Sequence, residues 1–241
     1  MYHSQMIDSG DLSPQAIMDK DAYLLDQLDP KGPSILHFYN WNAPCLTFGY
    51  FIDPAQHLNE DGLQHYGLQI ARRPTGGGII FHLTDFAFSI LIPSSHPRFS
   101  LNTLENYVFI NKKVARAVAH FTSQSLQPEL FVQETQCRSK ECVPFCMAKA
   151  TQYDLMIGGK KVGGAAQRRT KQGLLHQGSL FLFHPPIDLL KKILKNGEVV
   201  IENMYRKSDY LLSGPDHFQQ LTHARLGLKE SLKMAFLDLN N

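Results

Sequence analysis

The residues best placed to do chemistry lie in YDLMIGGKKVGGAAQRR (153–169), where Lys161 stands among residues with almost no side chain and Cys146 lies a short way upstream. Gly158-Gly159 is a two-residue hairpin signal that needs positive φ, so YDLMI is predicted to return as Lys160-Lys161-Val162. Gly163, Gly164, Ala165 and Ala166 follow with so little bulk that a ligand or another backbone can come close. Strand order alone therefore sets an ammonium beside a slot; the plain alternative is a surface hairpin with solvated lysines. The second stretch is RRPTGGGIIFH (72–82). Arg72 and Arg73 end a strand, and Thr75, Gly76, Gly77 and Gly78 turn the chain into Ile79-Ile80-Phe81-His82. Consecutive glycines expose N–H groups that can hold an anion, and the arginines can add bidentate contacts to a carboxylate or phosphate. No G-K-[ST] follows and a strand leaves the glycines, which excludes a P-loop. A wide hairpin turn is the other reading of these residues.

The elements that must position these stretches read as follows. Pro14 to Leu28 has near-helical apolar spacing behind Ser13 as N-cap. ILHFYNW (35–41) and Pro44 to Tyr50 are predicted strands, Asn59 to Tyr66 a short helix, and the alternation Phe86, Phe88, Ile90, Ile92 a core strand closed by Pro93. Leu101 to Phe121 holds an amphipathic helix with Tyr107, Val108, Ile110, Val114 and Val118 inward and Lys112, Lys113 and Arg116 on a solvated face. Gln124 to Val143 is polar and irregular, a loop able to fold over a site. Leu174 to Leu180 is a strand, Ile187 to Leu194 a helix, VVIENM (199–204) a strand, and His217 to about Leu239 a last helix. The N-terminal MYHSQMIDSGDLS is polar and carries no predicted element.

With 241 residues, 43% of them hydrophobic, the chain can bury one sizeable core, and a single domain over 1–241 is expected. A formal charge of +2 without long like-charge runs argues against nucleic acid. There is no signal peptide and no apolar run near twenty residues, so a cytoplasmic protein without a membrane association is expected. Cys45, Cys137, Cys142 and Cys146 are expected as free thiols; the last three lack the paired C-x-x-C spacing of structural zinc sites, and no metal is expected.

The two glycine stretches in this order, with the LSPQAIMDKDAYLL helix, the strand WNAPCLTFGYF and the closing HQGSLFL, resemble the catalytic domain of the lipoate-protein ligase A family and its octanoyl and lipoyl transferases, cousins of biotin protein ligase. The resemblance covers most of the chain. It implies an α/β (α+β) fold with a mixed, largely antiparallel sheet flanked by helices, holding an acyl chain for attachment to a lysine of a lipoyl carrier domain. By position, Lys161 matches the family's active-site lysine, Arg72 to Gly78 the loop beside the bound acyl group or acyl-adenylate, Gly163 to Ala166 the small-residue wall, and His82 the motif's histidine. The family usually has Asp directly after that histidine, where this chain has Leu83.

The resemblance is nearest to the cysteine-dependent octanoyltransferase branch, because Cys146 falls at that branch's spacing from Lys161. There a cysteine takes the acyl group from acyl carrier protein as a thioester; the plain alternative for Cys146 is a buried small hydrophobe. This reaction needs no cofactor. An ATP- and Mg²⁺-dependent lipoate ligase acting through lipoyl-AMP is the alternative, with lipoate or octanoate as the transferred group in either case. The octanoyltransferase branch often has arginine where Gly78 stands and the triple glycine is more ligase-like, whereas the long ligases carry a C-terminal accessory domain for which 241 residues leave no room. Lipoyl carrier domains of 2-oxoacid dehydrogenase complexes or the glycine cleavage H protein are the expected acceptors. A biotin protein ligase lacks support, since its GRGRxGR-type loop is absent; a silent acyl- or carrier-binding module is the remaining class.

Overall fold

The structure, a computed structural model, describes residues 4–132, 140–212 and 217–237. Cys137, and with it part of the expected 124–143 loop, lies outside the described residues. In chain order the elements are β1 (Ser4–Leu12), α1 (Pro14–Asp26), β2 (Ser34–Trp41), β3 (Cys45–Phe48), α2 (Glu60–His65), β4 (Gln69–Arg72), β5 (Ile79–His82), β6 (Asp85–Pro93), α3 (Thr103–Phe121), β7 (Glu129–Leu130), β8 (Leu155–Ile157), β9 (Lys160–Arg169), β10 (Gly173–Phe181), α4 (Ile187–Ile193), α5 (Gly197–Lys207) and α6 (His217–Leu237). Seven strands form a sheet in the order β1-β2-β6-β10-β9-β8-β7, and β4-β3-β5 form a second, smaller sheet. Within these sheets β1–β2 and β3–β4 pair in parallel and the other strand pairs are antiparallel, the mixed, largely antiparallel arrangement expected.

The core strands show why. Along β6, Phe86, Phe88, Ile90 and Ile92 point to one face, where they pack with Val114 and Val118 of α3 and Leu228 and Phe236 of α6. Ala87 and Leu91 point to the other, toward Ile17 and Leu25 of α1. With both faces covered, every residue of β6 and β10 is buried, and the period of two is all that separates the layers. The small sheet packs its Leu46, Phe48, Ile79 and Phe81 with α4 and α5.

Three expectations differ from the fold. The polar N-terminus forms β1, an edge strand with little buried surface to advertise it. VVIENM is not a strand: it lies in α5, because Val200, Ile201 and Met204 are buried at helical spacing and outweigh the β-branched run. Lys113 is buried rather than solvated; its Nζ donates to the Ala235 carbonyl at 3.3 Å and lies 5.9 Å from the Phe109 and Phe236 ring centres, where α6 has covered the face that α3 alone would show to water.

One consequence for stability sits in β10. His176 is fully buried, with Nδ1 2.9 Å from Gln167 Nε2, and burial pushes it down to about 3. The unfolded chain then binds a proton that the folded chain refuses between that value and the ordinary 6.5. Stability is complete above pH 6.5 and falls as the pH drops, by about 2 kcal/mol between pH 7 and 5. Urea midpoints at the two pH values are expected to show this fall in the wild type and a shallower one in His176→Gln.

Candidate active site

The hairpin at Gly158 (φ 56) and Gly159 (φ 77) turns as its sequence requires and sets Lys161 opposite Met156 in the β8–β9 ladder. Lys161 is 3% exposed. Its ammonium lies 2.7 Å from Asp154 Oδ2 and donates to the carbonyls of Cys146 at 2.9 Å and Lys149 at 3.3 Å. An ammonium has three donors, so all are engaged and the Lys149 contact is the longest. Asp154 is fixed in turn by the Thr151 backbone N–H (2.6 Å) and hydroxyl (2.9 Å). A methyl at Gly164 would sit 2.8 Å from Lys161 Nζ and 2.9 Å from Asp154 Oδ1, so the empty slot is what lets this ion pair lie flat on β9. Asp154→Asn leaves the buried ammonium without its counter-ion and is expected to cost about 3–5 kcal/mol, read by urea denaturation.

Facing Lys161 across a partly enclosed cavity of about 750 Å³, its open mouth included, is the glycine loop. The Gly78 N–H donates to Cys146 Sγ at 3.2 Å. A Cβ at Gly78 would lie 2.1 Å from the Pro144 carbonyl, and Ile79 N–H donates to that same carbonyl at 2.6 Å. Position 78 is glycine because the chain leading into Cys146 rests on it, which explains why no arginine stands there. Cys146 opens a single 3₁₀ turn, Cys146–Ala148, pinned by Ser208 Oγ on the Met147 carbonyl at 2.5 Å, and is only partly buried.

The adjacent arginines part company, as successive residues of an extended chain do, Arg72 ending β4 and Arg73 following it. Arg73 is buried and braces the loop, donating to Thr47 Oγ1 (2.8 Å) and to the Gly78 (2.6 Å) and Gly76 (3.1 Å) carbonyls. Burial holds its pKa below the ordinary value, while the nearby Cys146 thiol, attractive when ionised, draws it back up. Arg72 is exposed, lies over Phe48 at 5.0 Å and donates to the Tyr50 carbonyl. Of Gly76, Gly77 and Gly78, only Gly77 takes positive φ (86°). Arg73, Gly77, Gly78, His82, Cys146, Lys161, Gly164, Ala165 and Ala166 line the cavity; Arg72, Thr75, Gly76 and Gly163 do not. Thr75 instead donates to Gln177 Oε1 at 2.7 Å behind the wall, and Gly163 backs onto Leu180.

His82 does meet a carboxylate despite Leu83. Its Nδ1 is 2.8 Å from Asp85 Oδ2 and its Nε2 2.8 Å from Thr47 Oγ1, with the Trp41 ring 4.3 Å away. Burial raises the Asp85 pKa, but His82, Arg225 and the Ser179 hydroxyl outweigh it and leave the carboxyl below its usual range. Asp85 and Asp154 are site residues that the sequence reading did not single out. Both had a signal: Asp85 stands one turn of chain after His82, and folding YDLMI back on the Gly158-Gly159 turn brings Asp154 toward Lys161.

Tyr153, just before Asp154, has φ 67°. A left-handed non-glycine residue costs about 1–2 kcal/mol, and this one is held from both sides: its N–H donates to the Phe131 carbonyl at 2.6 Å and its carbonyl accepts from Asn111 Nδ2 at 2.8 Å. No helix among the described residues is long and apolar enough to cross a membrane.

Comparison with known proteins converges on one family. The family model of the lipoyl protein ligase A/B catalytic domain matches residues 13–208. The octanoyltransferase LipM of Bacillus subtilis (strain 168) is 30% identical over 208 residues, 84% of this chain and 73% of that protein. The octanoyltransferase LipM of Anoxybacillus flavithermus is 31% identical over 196 residues, 79% and 69% of the two chains. Among solved structures, a lipoate-protein ligase A bound with ATP superposes with a TM-score of 0.66 at 21% identity, covering 96% of this chain and 85% of that one. A bi-partite lipoate protein ligase from Thermoplasma acidophilum, described with its E2 lipoyl domain, gives 0.66 at 18% identity, with 97% and 85% covered. These two share the fold.

Proposed function

This chain belongs to the lipoyl protein ligase A/B catalytic-domain family, and we propose that it transfers an octanoyl group from an acyl thioester to a lysine of a lipoyl carrier domain through an acyl-Cys146 intermediate. The observation that carries this is the Gly78 N–H on Cys146 Sγ at the wall of the cavity, beside the Arg73 guanidinium. A thiolate is the reacting form of cysteine, and backbone N–H donors with a neighbouring cation favour it. The relatives named octanoyltransferase support octanoyl as the transferred group.

In the first step Cys146 Sγ attacks the donor's thioester carbonyl, the acyl–cysteine bond forms, and the carrier thiolate leaves and takes up a proton. In the second, the acceptor lysine amine attacks acyl-Cys146; the amide bond forms, the cysteine thiolate departs and the amine loses a proton to solvent. Each step builds negative charge on the acyl oxygen. Lys161 supplies charge to it by giving up its longest bond, that to the Lys149 carbonyl, while Asp154 keeps the ammonium in place. The small residues Gly164, Ala165 and Ala166 let the acyl chain lie against β9.

The acceptor is a lipoyl domain of a 2-oxoacid dehydrogenase complex or a glycine cleavage H protein, and the donor an acyl carrier protein. Incubation of the protein with a lipoyl carrier domain and either octanoyl carrier protein, or free lipoate with ATP and Mg²⁺, tests this by intact mass. Acylation from the thioester alone is the expected result. Acylation only with the free acid and ATP would reassign the chain to the ATP-dependent ligases.

A further inference from the structure

We infer that Asn111 of α3 is a positioning residue for acyl transfer, holding Tyr153 left-handed so that Asp154 meets Lys161; the inference rests on the acyl-transfer reading above. Asn111 does not line the acyl cavity. It is 5% exposed on a helix whose other buried positions are mostly apolar, and its Nδ2 reaches across to the Tyr153 carbonyl. An aromatic residue does not choose this conformation by itself, so something outside the turn must select it.

The linkage is short and continuous. Tyr153 is clamped at its N–H by Phe131 and at its carbonyl by Asn111. The next residue presents its carboxylate to Thr151 and to Lys161, and Lys161 in turn bonds the carbonyl of Cys146. If Tyr153 relaxed to negative φ, the peptide plane leading into Asp154 would rotate and carry the carboxylate off the ammonium. The Asp154 amide, which donates to the Thr151 carbonyl at 3.0 Å, would lose its partner in the same movement. Asn111 thus acts at one remove from the reacting atoms, through backbone conformation.

An alternative role for Asn111 is merely to satisfy a buried carbonyl, and a double-mutant cycle separates the two. Asparagine tolerates the left-handed region far better than tyrosine, so Tyr153→Asn removes the need for a pin but leaves the same carbonyl unsatisfied when Asn111 is lost. Steady-state transfer is measured for Asn111→Ala, and for Asn111→Leu, which keeps the branched shape while removing the donor, each with Tyr or Asn at 153. With Tyr153, loss of the Asn111 amide is expected to lower kcat on the order of tenfold to 10²-fold with KM little changed. With Asn at 153 the same loss is expected to cost less than about threefold. Amide hydrogen exchange at Asp154 is read without substrate on these four variants, the wild type and Tyr153→Asn. It is expected to quicken on loss of Asn111 and to recover on the Tyr153→Asn background. Equal losses on both backgrounds, or unchanged kcat and exchange in the Asn111 variants, would overturn the inference. If the wild type transferred no acyl group from either donor, the proposed function would fail while the exchange cycle still decided whether Asn111 holds the turn.

Discussion

Lys161→Ala is expected to lower acyl transfer by about 10²–10³-fold, the scale of removing one preorganised charge from a developing oxyanion. The variant also strands Asp154, a carboxylate with 4% side-chain exposure whose partner sits 2.7 Å away. Removing one member of a buried pair costs about 3–5 kcal/mol, so lost activity alone would not separate catalysis from folding. The double variant Lys161→Met with Asp154→Asn removes both charges at similar volume. It is expected to regain most of the stability and none of the activity, read by urea denaturation and by intact-mass transfer. Transfer by the double variant at the wild-type rate would remove Lys161 from the reaction and leave the ion pair as a fold element.

Cys146→Ser is expected to abolish thioester-driven transfer, on the order of 10³-fold or more, as removal of a nucleophile does elsewhere. Serine fits where cysteine stood, because Cys146 is only partly buried and the Gly78 N–H that reaches its Sγ can be accepted by a hydroxyl oxygen as well. What serine lacks is the thiolate's nucleophilicity: a hydroxyl is a far weaker acid and attacks only when a base takes its proton. Wild type incubated with octanoyl carrier protein and no acceptor is expected to gain an octanoyl adduct that hydroxylamine removes, and Cys146→Ser to gain none. A variant that still acylated the carrier from the thioester would return Cys146 to the role of a small residue beside the glycine loop.

Some of this site is visible in one dimension. The Gly158-Gly159 turn, the period of two in β6 and the buried Ile110, Val114 and Val118 of α3 are local patterns, each found where the spacing puts it, whereas Val108, expected inward, lies with Lys112 and Arg116 along an outer groove. A slot beside a lysine follows from the same reading, since Gly164 and Lys161 share a strand. The resemblance to a ligase and transferase family needs nothing more than the order of two glycine motifs.

Other features were settled by partners far away in the chain. Arg72 and Arg73 are identical as text, yet one meets solvent and the other braces the glycine loop from inside, because the extended chain at the end of β4 sends successive side chains to opposite sides. Lys113 looks solvated until α6 packs over it, and VVIENM looks extended until the buried side of α5 is known. The carboxylate on His82 is Asp85 rather than a residue at position 83, a choice made by the bend between β5 and β6. By itself the sequence determined the fold class, the strands and turns around Lys161, and the family. Only the tertiary structure decided which groups surround the two candidate residues: Asp154 on Lys161, the Gly78 N–H on Cys146, and Asn111 behind the turn. The physical reason is one of range: periodicity and turn chemistry act within a few residues, whereas the Gly78–Cys146 and Asn111–Tyr153 contacts join elements that only the packed sheet brings together.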